Sequence, residues 1–145
     1  MANLKSFTYL ESGMHQYGIF QFMDGVSGGG NYIHMETNIT QPSSNIMCMI
    51  EAVGYCYGRA LPIRCSWNFY SYQYIISNVN NSSYTGMNAD GVYYASSGYV
   101  AIRAYASDLY YCGFTLNSYM VAGNGYQQPV SIRRVSQNTT SGAYY

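Results

Sequence analysis

Ile63-Arg64-Cys65-Ser66-Trp67-Asn68-Phe69-Tyr70 alternates without a break. Ile63, Cys65, Trp67 and Phe69 fall on one side of an extended chain. Arg64, Ser66, Asn68 and Tyr70 fall on the other, a period of two that a strand shows and a helix does not. The polar side continues through Tyr72 and Tyr74. The pattern therefore predicts a strand over 63–75, with the row from Ile63 to Phe69 in a core and Tyr70, Tyr72 and Tyr74 facing outward. Just upstream, Ile46–Tyr57 is apolar on both faces, which predicts a central strand. Residues 58–62, Gly-Arg-Ala-Leu-Pro, read as the hairpin loop between the two.

The same texture extends in both directions. Short apolar or alternating runs over 6–11, 16–23, 32–39, 92–95, 99–105, 109–121 and 129–135 are separated by Gly, Asn, Ser and Pro clusters. Within 32–39, Ile33, Met35 and Ile39 take one face and Tyr32, His34, Glu36 and Asn38 the other. The Asn- and Ser-rich stretch 77–91, with its Asp90-Gly91 turn signal, reads as the longest loop, and residues 136–145 as a polar tail ending in aromatics. No window sustains a 3.6-residue period with caps. Eight or nine strands without crossover helices predict an antiparallel β-sandwich, jelly-roll-like, in a single domain over 1–145.

Composition narrows the function classes. Only 8% of the 145 residues are charged, and six basic side chains cancel six acidic ones. Nucleic-acid binding would need a basic stripe, and none is present; Arg133 and Arg134 are adjacent and should point to opposite faces. No apolar run reaches the length of a membrane-spanning helix, and no export signal opens the chain. Nineteen tyrosines among many Gly, Ser and Asn residues form the mixture that binding surfaces use. So little charge suits a chain that covers its surface by self-association, which predicts a homo-oligomer.

Catalytic and metal signatures are missing. There is no nucleophile elbow, no zinc-protease helix motif and no phosphate loop, so neither enzyme activity nor a cofactor is expected. The cysteines, Cys48, Cys56, Cys65 and Cys112, lack zinc-site spacing and sit among apolar neighbours, as buried small hydrophobes do. A hairpin centred between Ala60 and Leu61 would instead set Cys56 opposite Cys65, where a disulfide could form. His34 and Glu36 share one strand face, as a base with its orienting carboxylate or two metal ligands would; a solvent-facing polar edge explains them more simply. Glu51 has apolar flanks and should be paired, with Arg64 or Arg103 as partner. The row Tyr70, Tyr72 and Tyr74 is the candidate contact surface, for a neighbouring subunit or for sugar rings.

The runs Asn31–Ile39, Ile46–Gly58, Gly98–Tyr105 and Tyr111–Phe114, with the ending Ser141-Gly142-Ala143-Tyr144-Tyr145, resemble small fibre, tip or decoration proteins on the virions of tailed, especially aquatic, bacteriophages. That resemblance implies a virion surface component made in the host cytoplasm. It also implies a homo-oligomer, most often a trimer, touching other virion proteins and host glycans. It carries over no site residue.

Overall fold

The computed structural model describes residues 6–10, 13–24, 30–40, 46–72, 75–77, 79–122 and 129–145. Eleven strands run through them: β1 (Ser6–Leu10), β2 (Gly13–Asp24), β3 (Tyr32–Thr40), β4 (Ile46–Cys56), β5 (Leu61–Tyr72), β6 (Ile75–Ser77), β7 (Ser82–Thr85), β8 (Asn88–Tyr94), β9 (Tyr99–Tyr105), β10 (Cys112–Ala122) and β11 (Ile132–Asn138). All pair antiparallel. The larger sheet has the order β1-β2-β10-β4-β5-β6, with β7 also on β5, and the smaller has β11-β3-β9-β8. Strands from early and late in the chain interleave in both sheets, with β10 between β2 and β4, and β3 between β11 and β9. This is an antiparallel β-sandwich.

The inner layer is the one the alternation predicts. Ile63, Cys65, Trp67 and Phe69 of β5 join Ile46, Cys48 and Ile50 of β4 against Ile33, Met35, Val100 and Ile102 of the smaller sheet. Trp67 is fully buried and its Nε1 donates to the Arg103 carbonyl of β9 at 2.8 Å, joining the two sheets. Gln16 closes another seam: its Oε1 accepts from the Val130 amide at 2.6 Å, holding the approach to β11 against β2.

Three elements differ from expectation. The β4–β5 register sets Cys56 opposite Leu61 and Cys65 opposite Ala52, so the hairpin centres between Gly58 and Arg59. Pro62 lies inside β5, opposite Tyr55, and a 3-10 turn over Tyr57–Arg59 with Ala60 at φ 52° closes the tighter connection. Cys56 and Cys65 therefore do not face each other, and both are free buried thiols. Second, the expected loop over 77–91 holds β7 and the start of β8. Third, the expected turn at Asp90-Gly91 is a register shift inside β8, which throws the Asp90 carboxylate onto Arg103 at 2.6 Å.

Candidate functional site

The outer face of the smaller sheet is closed by the chain's own closing segment. His34 and Glu36 point outward from β3 as the alternation requires, yet they are 0% and 1% exposed. The expectation of a solvent-facing edge fails because Thr140, Tyr144 and Tyr145 lie against His34, while Arg133, Arg134 and Ser97 enclose Glu36. His34 Nε2 meets the Thr140 carbonyl at 2.8 Å, and Nδ1 meets the Tyr93 hydroxyl at 2.9 Å. A carbonyl only accepts, so Nε2 carries the proton; in the neutral ring Nδ1 then accepts from Tyr93. The Tyr93 oxygen in turn accepts from the Tyr144 amide at 3.3 Å, and the Ser96 amide donates to the Tyr145 carbonyl at 3.1 Å. Burial, first of all, lowers the affinity of His34 for a proton; the Thr140 hydrogen bond works in the opposite direction, Arg103 repels the imidazolium, and the net pKa is below the ordinary value.

Glu36 sits at the centre of a clamp. Its Oε2 accepts from Arg134 at 2.8 Å and Ser97 at 2.7 Å, and its Oε1 from Arg133 at 3.2 Å. Two adjacent arginines reach one carboxylate because the β11–β3 register shifts between Ile132 and Arg134. That irregularity overrides the alternation that should have separated them. Burial alone would raise the Glu36 pKa, but the hydrogen bonds from Arg134 and Ser97 and the charges of Arg134 and Arg133 outweigh it and hold the carboxyl below its usual range. Each guanidinium also covers a ring, Arg133 over Tyr99 at 3.5 Å and Arg134 over Tyr145 at 4.0 Å. The buried His34 and Glu36 both find their partners within the chain, so the cluster forms a latch between β3, β11 and the segment from Thr140 to Tyr145.

The outer face of the larger sheet has the opposite character. Met47, Val53 and Tyr55 of β4 and Tyr119 and Val121 of β10 are exposed, with His15 of β2 stacked on Tyr119 at 3.7 Å. Tyr70 and Tyr72 are half-buried at its β5 margin, their ring centroids 6.4 Å apart; Tyr74 lies outside the described residues. Tyr70 lines an apolar depression of about 350 Å³ with Met47, Met49, Tyr119 and Val121. Glu51 is on this face too, without the expected arginine: its Oε1 accepts from Asn117 at 3.2 Å, and Arg103 is taken by Asp90. Tyr84, 82% exposed on β7, belongs to the same surface; no signal marked it, since it stood in a stretch read as loop. Burial pushes the thiols of Cys48 and Cys65 up to about 12, which leaves them unreactive at neutral pH. Among the described residues no three His, Cys, Asp or Glu side chains stand together as metal ligands. No protein-family model, curated protein or solved structure shows significant similarity to the chain.

Proposed function

We propose that the chain is a non-catalytic structural subunit that assembles as a homo-oligomer on a virion surface, through the outer face of its larger sheet. The observation that carries this is the uncovered row of Met47, Val53, Tyr55, Tyr119 and Val121. A sandwich needs only the inner layer of each sheet for its core, so a second apolar and aromatic layer calls for a partner. A partner copy would bring the same residues, which suits the closed symmetry of most oligomers and an interface rich in aromatics and poor in charge. The virion setting and the trimer draw on the resemblance to phage fibre and decoration proteins. Light scattering on the purified chain tests the assembly: a mass several times 16.2 kDa is expected, and a species that stays at 16.2 kDa on concentration would refute it.

A second reading, a monomeric carbohydrate-binding module, is favoured by the tyrosines and amides at the β5 margin, where Tyr70 and Tyr72 stand near Asn68. A glycan array decides it, with binding by a 16.2 kDa species as the supporting result.

A further inference from the structure

At the β5–β7 margin of the larger sheet, one row crosses three strands: Glu51 of β4 stands opposite Ser66 of β5, which stands opposite Ser82 of β7. With Met49, Arg64 and Tyr84 these residues line a depression of about 490 Å³, within the range of small-ligand sites. Its two charged groups are underused. Glu51 accepts one hydrogen bond, from Asn117 to Oε1, and among the described residues nothing donates to Oε2. The Arg64 guanidinium has neither an ion pair nor a side-chain hydrogen bond among the described residues. An anion and a cation that line one depression and leave each other unpaired hold open hydrogen-bonding capacity of both kinds.

We infer that this depression binds a neutral hexopyranose unit of a glycan. Vicinal hydroxyls would donate to the Glu51 carboxylate, and ring or hydroxyl oxygens would accept from Arg64. The Ser66 and Ser82 hydroxyls both donate and accept, so they add polar partners without demanding charge. The Tyr84 ring, 82% exposed, offers a flat apolar surface for the C–H face of the sugar. A sugar acid would gain Arg64 but meet Glu51, and an amino sugar would gain Glu51 but meet Arg64, each with one like-charge contact; a neutral polyol uses both groups as hydrogen-bond partners without one. An aliphatic amino-acid zwitterion matches the two charges but has no ring to lie on Tyr84. This inference rests on the glycan-contact reading, places the contact at Glu51, Arg64 and Tyr84 rather than at the Tyr70–Tyr72 margin, and requires that strip to stay open, so it competes with assembly through the adjoining Met47 and Val53, which stands opposite Arg64.

The test is saturation-transfer NMR and calorimetry on the full chain with methyl hexopyranosides, and with glycine and glutamate as zwitterion probes. At least one hexoside should bind, and Glu51→Gln and Tyr84→Ala should each weaken it by roughly tenfold or more, the loss expected for one hydrogen bond to a charged group or one stacked face. The urea midpoints of these variants should match the parent, since both side chains line an open depression. Binding lost in Tyr70→Ala or Tyr72→Ala but kept in Glu51→Gln and Tyr84→Ala overturns the site while leaving glycan contact standing. Saturable zwitterion binding without hexoside binding overturns the ligand class. No binding of any hexoside overturns both the site and the glycan reading, while the mass in solution still reports separately on assembly.

Discussion

His34 makes the closing segment sensitive to acid. With the segment in place the ring has no free lone pair, because Nε2–H serves Thr140 and Nδ1 is capped by the Tyr93 hydroxyl. A second ring proton would displace the Tyr93 proton, leave a buried cation and place it beside Arg103; Thr140, the Asn138 side chain and Asp90 favour that cation but do not outweigh burial, and Tyr32, Tyr144 and Tyr145 offer rings. The open form titrates near the ordinary 6.5, the closed form below it. Protonation thus favours the open form: closure is at full strength above about 6.5 and weakens as pH falls beneath it. Protection factors at Ser96 and Tyr144, the observed amide exchange corrected for an intrinsic rate that itself falls with pH, should decrease between pH 7.5 and 5, and protection that holds or rises would refute the latch. Tyr93→Phe removes the donor to Nδ1, so the His34 pKa, followed by its ring-proton shifts, should rise. Glu36 acts in a different window. Its carboxyl is held below 4.5, so the stability it adds is present above that value and is lost as pH falls through the lowered pKa. Glu36→Gln should cost about 1–3 kcal/mol in denaturant unfolding, less than a fully buried pair would, because Arg133 and Arg134 remain partly in water. The sequence showed which face these two residues share but not that they are covered, because the cover of His34 arrives from Thr140, 106 positions along the chain, and that of Glu36 from Arg133 and Arg134 of β11.

Strand β5 was legible because its inner row is uninterrupted and its outer row polar, so a one-residue slip would invert the whole face. Trp67→Ala should cost about 3–5 kcal/mol, measured by circular dichroism in urea, since the variant leaves a cavity and deprives the Arg103 carbonyl of its donor. A loss under about 1 kcal/mol would contradict the burial. The β4–β5 turn was less legible. Gly, Ala and Pro around it all signal a break, and only backbone pairing decides that Pro62 stays in the strand and Cys56 meets Leu61. Strand β7 and the start of β8 were hidden for another reason: the Asn- and Ser-rich stretch that holds them has no apolar alternation, and β7 is held in place by its pairing with β5. Gly54 shows how tightly β4 meets β10, since a Cβ there would fall on the backbone of Gly113 and Phe114. Gly54→Ala should destabilise by about 1–3 kcal/mol, the usual cost of overpacking, in the same urea assay.

At the scale of the molecule, charge is the feature to explain. The few ions that pair do so on the smaller sheet, where Glu36, Arg133, Arg134, Asp90 and Arg103 gather, while the outer face of the larger sheet sets exposed methionine, valine and tyrosine around Glu51 and Arg64, which form no ion pair among the described residues. Assembly through that face predicts that Met47→Glu together with Val53→Glu converts the oligomer to a 16.2 kDa species, with urea stability per subunit near the parent value once dilution has dissociated the parent. An unchanged mass for the double variant would move the interface elsewhere. Composition raised the expectation of association, but not which face would carry it. Both β4 and β10 read as apolar on two sides, and only the layering shows which side meets the other sheet.

Trp67 also makes the sandwich self-reporting in light. It is the one tryptophan in the chain, it is shut away from water, and its indole N–H is spent on the opposite sheet. Nineteen tyrosines can pass excitation to it. Its emission should therefore be blue-shifted in the closed protein and move to the red when the two sheets part. Loosening of the closing segment, which never touches the indole, should leave that colour unchanged. Fluorescence and amide exchange would then separate opening of the latch from opening of the core without any added dye.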